Sequence, residues 1–80
     1  MGARYFVPDP IKVEEVMPEL ERHAPADAVR FFHPPVEADK LKVTGTEVKG
    51  PFVFVTVQSP KGLKVILRYA WRTKQLLGST

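Results

Sequence analysis

Phe52 and Phe54, two residues apart, are followed by Lys64, Ile66 and Arg68 at the same spacing, all within the stretch GPFVFVTVQSPKGLKVILRYAWR (residues 50–72). A period of two places each set on one face of a β-strand. Aromatic rings offer flat surfaces to unstacked bases, and cations alternating along a strand can follow a phosphate backbone. Together these are the means by which sequence-tolerant proteins hold single-stranded nucleic acid. Arg72 continues the same parity, Lys42 and Lys49 fall near the edge of that face, and Lys61 falls at the tip of the connecting turn. Neither an RNP-type nor a GXXG motif accompanies the set. Duplex recognition would need a basic helix or a ribbon shaped for a groove, and the candidate helices are acidic.

These side chains share a face only if the two strands pair in the right register, and the turn between them sets it. Ser59-Pro60-Lys61-Gly62 has the composition of a type I turn followed by a left-handed residue: Pro presets φ near −65°, and Gly takes the positive φ that other residues resist. A three-residue loop of this kind places Ser59 opposite Leu63. Val53, Val55 and Val57 then share a core face with Leu63, Val65, Leu67 and Tyr69, and Trp71 continues that parity. Phe52, Phe54 and Thr56 lie on the other face with Lys64, Ile66 and Arg68. A slip of one residue would exchange the two faces.

Upstream, Leu41–Lys49 reads as a first strand. Leu41 and Val43 are in one phase and Val48 in the other, so a bulge at Gly45 is expected to bring all three to the core face. Lys49-Gly50 reads as a two-residue turn pairing Val48 with Pro51. The N-terminal half is helical in pattern. Ala3–Val7 reads as a short strand, and Asp9-Pro10 as an N-cap and first helical position. Val13, Val16, Met17 and Leu20 then recur at helical spacing, with Glu14, Glu15, Glu19 and Glu21 largely on the other side. Pro18 predicts a kink or a second short helix, and Pro25 and Asp27 predict another start. Ala28–His33 is either a short helix or a buried strand, with at least one of Phe31 and Phe32 in the core. After Trp71, Lys74–Leu77 reads as a last helical turn stopped by Gly78.

The predicted fold is therefore a single α+β domain over residues 1–80. An antiparallel meander of three strands, with a possible N-terminal fourth, has one face covered by short N-terminal helices. The formal charge of +3 conceals a division. Residues 1–39 carry four basic against eight acidic side chains, net −4, and residues 40–80 carry eight basic against Glu47 alone, net +7. The positive charge belongs to the sheet half.

The chain has no Cys, which excludes disulfides and Cys-ligated zinc. His23 and His33 have no second ligand at i+3 or i+4. No cofactor is expected, and the acids, Ser59 and histidines form no catalytic spacing, so an enzyme is not expected. No leader or long apolar run is present, from which no membrane association and a cytoplasmic, intracellular location are expected. Prolines concentrated between elements and the absence of Asn suit a thermophile.

An acidic helical part, exemplified by IKVEEVMPELERH, joined to the basic, aromatic sheet stretch PFVFVTVQSPKGLKVILRYAWR resembles the organisation of ThermoDBP-type single-stranded DNA-binding proteins of thermophilic archaea. The resemblance covers most of the chain without a signature motif. It implies a four-stranded antiparallel sheet beside helices and a basic cleft with an apolar floor that grips single-stranded DNA. Single-stranded nucleic acid is thus the expected partner, bound through Lys42, Lys49, Phe52, Phe54, Lys61, Lys64, Ile66, Arg68 and Arg72. The alternative is a protein-interaction or assembly module that uses the same face to bind another chain; with no binding role for the face, Phe52 and Phe54 simply pack beneath the N-terminal strand or a second subunit. Leu76 and Leu77 would either fold back on the domain or form a homodimer contact.

Overall fold

The structure is a computed structural model and describes residues 12–79. Its strands are β1 (Lys42–Lys49), β2 (Phe52–Gln58), β3 (Lys64–Ala70) and β4 (Gln75–Ser79), and its helix is α1 (Val13–Ala28). The strands form one antiparallel sheet in the order β1-β2-β3-β4, and α1 lies on one face, which makes the domain α+β. Single 3-10 turns cover Val29–Phe31 and Ala38–Lys40. The strand predicted at Ala3–Val7 and the helix start at Asp9-Pro10 lie outside the described residues.

The β2–β3 hairpin has the register that its turn demands. Gln58 pairs with Lys64, the Ser59 and Leu63 backbones meet through Ser59 N–H donating to Leu63 O at 2.8 Å, and Gly62 has φ +88°. Ser59 is buried, and its Oγ accepts from Leu63 N–H at 3.2 Å, so the hydroxyl reinforces the loop. The first hairpin differs by one step from the sequence reading. Its turn is Gly50-Pro51, with Lys49 opposite Phe52 and Val48 opposite Val53 rather than Pro51. Gly50 at φ +58° takes the first central position and Pro51 the second, the composition of a type II′ turn, whose twist matches that of paired strands. The predicted bulge in β1 is present. Val43 pairs with Val57 and Gly45 with Thr56, so Thr44 is the extra residue and Val48 returns to the core parity.

Val16, Leu20, Ala24 and Ala28 of α1 meet Val53, Val55, Val57, Leu67 and Tyr69 in one core, with Phe32, Leu41 and Trp71 closing it. Each fully buried Val or Leu side chain contributes about 1.5–3 kcal/mol. The helix does not cover the whole core-parity face. Val48 at one end of the sheet is 44% exposed and Leu63 at the other is 56% exposed. Phe32 is the buried member of the phenylalanine pair, and Phe31 is half-buried. The Tyr69 hydroxyl donates to Asp27 Oδ2 at 2.6 Å, fixing the end of α1 to β3. Trp71 Nε1 donates to Gly50 O at 2.9 Å and holds the first turn.

α1 is one helix, not two or three. It begins at Val13 and runs through Pro18 and Pro25 without a break. The two prolines are seven residues apart and neither belongs to the buried stripe, Pro18 being exposed and Pro25 half-buried. Tertiary burial of the four-residue stripe outweighs the local penalty. Glu14 and Glu15 in the first turn compensate the missing side-chain cap at Lys12.

The C-terminal segment is a strand, where a helical turn was expected at Lys74–Leu77. Residues 71–74 reverse the chain, with Lys74 at φ +59° and Thr73 Oγ1 donating to Ala70 O at 3.3 Å. Pairing with β3 then satisfies backbone groups that a helical turn would have left unpaired along that strand. Leu76 pairs with Tyr69 and packs against the core, and Lys74 Nζ reaches Glu19 Oε1 at 3.1 Å.

Candidate nucleic-acid interface

The face of the sheet away from α1 is a grid fixed by the two registers. Lys42, Gln58 and Lys64 form its first row, Gly45, Thr56 and Ile66 the second, Glu47, Phe54 and Arg68 the third, and Lys49, Phe52 and Ala70 the fourth. Rows lie about 7 Å apart, so the track from Gln58 to Phe52 is roughly 20 Å long. Among the described residues no element covers this face. Phe52 and Phe54 are half-buried, and Ile66 is 36% exposed.

The rings and the cations are coupled diagonally. Arg68 stands directly opposite Phe54, yet its guanidinium lies over Phe52, 5.5 Å from the ring centroid. Lys49 stands opposite Phe52, and its ammonium lies over Phe54 at 5.6 Å. Each such contact at an exposed site is worth about 0.5–1 kcal/mol. A depression of about 420 Å³ opens beside Phe54, where Gly45 leaves room next to Thr56, with Ile66 and Lys49 on its sides. That volume lies at the small end of ligand-binding clefts.

Glu47 is the acidic exception on the face. Its Oε2 lies 3.8 Å from Lys49 Nζ, with both side chains 64% exposed, so solvent screens the pair and it holds neither group firmly. The acids of α1 lie across the sheet, and the face keeps a cationic balance through Lys42, Lys49, Lys64 and Arg68.

Of the residues that the sequence singled out, Lys42, Lys49, Phe52, Phe54, Lys64, Ile66 and Arg68 come together on this face. Lys61 sits at the exposed tip of the β2–β3 loop, beyond the first row. Arg72 does not continue the face. The strand ends at Ala70, and Arg72 lies in the turn beyond it with its guanidinium 5.2 Å from the Trp71 ring. Glu47 and Gln58 belong to the grid and were not singled out. The Gly45 bulge carries the signal for Glu47, since putting Val48 inward puts its neighbour outward.

No helix among the described residues is long and apolar enough to cross a membrane. Comparison of the chain with protein-family models, with curated proteins and with solved structures finds no match.

Proposed function

We propose that the open face of the sheet binds single-stranded nucleic acid with little sequence preference, as a binding protein without catalysis or cofactor. The observation that carries this is the diagonal coupling of Phe52 with Arg68 and of Phe54 with Lys49 on a face that α1 leaves free. A base takes the face of the phenyl ring, and the displaced cation turns to the adjoining phosphate. The shallow, open grid reads no base edge in particular, which accounts for sequence tolerance. DNA is favoured over RNA on the resemblance to ThermoDBP-type proteins alone, together with the thermophilic, archaeal and intracellular setting that goes with it. The test is titration of fluorescein-labelled oligothymidine of about 15 nucleotides, a length within the usual range of such sites, at several salt concentrations. Absence of binding at low salt overturns the proposal.

The second reading is a homodimer, and it rests on β4. Leu76 is committed to the domain's own core, whereas Leu77 is 40% exposed on an edge strand that carries no charge. Leu77 is the extra residue of a bulge, which blunts strand pairing, so a homodimer through this part of the chain is a side-chain contact centred on Leu77. Sedimentation of wild type and Leu77→Lys checks it: a monomer at every concentration rejects the dimer.

A further inference from the structure

At the tip of the β2–β3 hairpin, on the side that α1 occupies, the helix ends before it reaches Leu63. A groove of about 380 Å³ remains, with Leu63, Val36, Pro34 and Pro60 as apolar walls and Lys40 and Lys61 among its lining. Leu63 has the core parity and is still 56% exposed, so the sheet presents a core position to solvent at this end. Two of the four apolar walls are proline, and Ser59 beneath them is buried with its Oγ engaged by Leu63 N–H. The groove is therefore shaped before any ligand arrives, which limits the ordering cost of binding. Among the described residues no carboxylate lines it.

We infer that this groove docks an acidic segment of a partner protein, one bulky apolar side chain entering against Leu63 and flanking carboxylates meeting Lys40 and Lys61. Charge complementarity selects the partner: an apolar slot bordered by cations alone favours an apolar residue in acidic surroundings over one in neutral or basic surroundings. A nucleic-acid occupant fits less well, because His33 is the one aromatic ring among the described lining residues and the remaining walls are aliphatic and prolyl. The groove lies on the opposite side of the sheet from Phe52 and Phe54, so the inference stands independently of the proposed nucleic-acid site, with Lys61 at the tip near both.

The experiment uses fluorescein-labelled hexapeptides DDLFDD, DDSSDD and KKLFKK, followed by anisotropy on the full chain at low salt. DDLFDD binds with a Kd below about 1 mM, and DDSSDD and KKLFKK at least tenfold more weakly. Leu63→Asp, at an exposed position where folding is checked by circular dichroism, weakens DDLFDD at least tenfold and leaves oligothymidine binding unchanged. Lys40→Glu weakens DDLFDD several-fold. Equal binding of DDLFDD and DDSSDD, or equal binding by wild type and Leu63→Asp, overturns the inference. Loss of oligothymidine binding in Leu63→Asp reassigns the groove to nucleic acid and overturns it too. Concentration-dependent self-association that Leu63→Asp abolishes makes a second copy the occupant and likewise overturns it.

Discussion

Replacing Phe54 by Ala separates stacking from charge on the open face. A stacked base contributes about 1–3 kcal/mol by alanine substitution, but the Phe54 ring already holds the Lys49 ammonium at 5.6 Å. That contact, worth about 0.5–1 kcal/mol, is given up when a base arrives. The net loss in Phe54→Ala is then roughly 0.5–2 kcal/mol, or about a 2- to 30-fold rise in Kd for oligothymidine. The charge arithmetic is separate. Lys42, Lys49, Lys61, Lys64 and Arg68 border the track, and five neutralised phosphates would set a ceiling of about −3.5 on the log–log salt slope of a single strand. Phe54→Ala leaves that slope unaltered, whereas Arg68→Ala reduces it by about 0.7. The assay is anisotropy of labelled oligothymidine between about 50 and 200 mM salt, a range over which such a slope is readily resolved. Thermal melts of each variant establish folding, since removing one cross-strand pair costs only about 0.2–1 kcal/mol. Unchanged affinity in Phe54→Ala, or an unchanged slope in Arg68→Ala, refutes the reasoning.

Two further outcomes concern the scaffold. Tyr69→Phe removes the 2.6 Å bond to Asp27 and lowers stability by about 1.5–3 kcal/mol in urea denaturation, the range for hydrogen bonds to charged groups. Burial first, and then the Asp27 carboxylate, raise the Tyr69 pKa above the ordinary tyrosine value. Its contribution is therefore fully present below about pH 10 and lost as pH rises through the raised value, and Tyr69→Phe flattens that alkaline decline in a pH series of melts. Pro18→Ala returns an N–H to the helix beneath the Glu14 carbonyl. An interior proline costs about 3 kcal/mol against alanine and recovers about 0.4–1 kcal/mol through the unfolded chain, so the variant should melt higher, by roughly 2 kcal/mol of added stability.

The hairpin was legible because its turn residues and its alternation agree. Pro60 and Gly62 impose one loop geometry, that geometry imposes one register, and the register sorts aromatic from aliphatic side chains without reference to anything distant. Gly45 was legible for a similar reason, as the only place where the phase of Leu41 and Val43 could give way to that of Val48. The helix boundaries were not, because prolines announce a local preference and the continuity of α1 is decided by Val16, Leu20, Ala24 and Ala28 against a sheet far along the chain. β4 escaped notice because QLLGS has no period of its own; it is a strand because β3 lies beside it. The same dependence misplaced Arg72, whose parity was correct but whose strand stops at Ala70. The cation–ring diagonals follow from side-chain reach across a known register, and sequence alone supplied the pairs without their geometry.

Thr44, the extra residue in β1, has a counterpart at the other edge of the sheet, where Tyr69 pairs with Leu76 and Arg68 with Gly78, so that Leu77 is an extra residue in β4. Bulges spoil the ladder and increase the local twist, and β1 also carries Lys42, Glu47 and Lys49, so this edge is poorly suited to receive another strand. β4 is interrupted as well, and differs from β1 in carrying no charge. A sheet with aromatic residues on its free face is thus bordered on both sides by interrupted ladders, which work against open-ended strand addition.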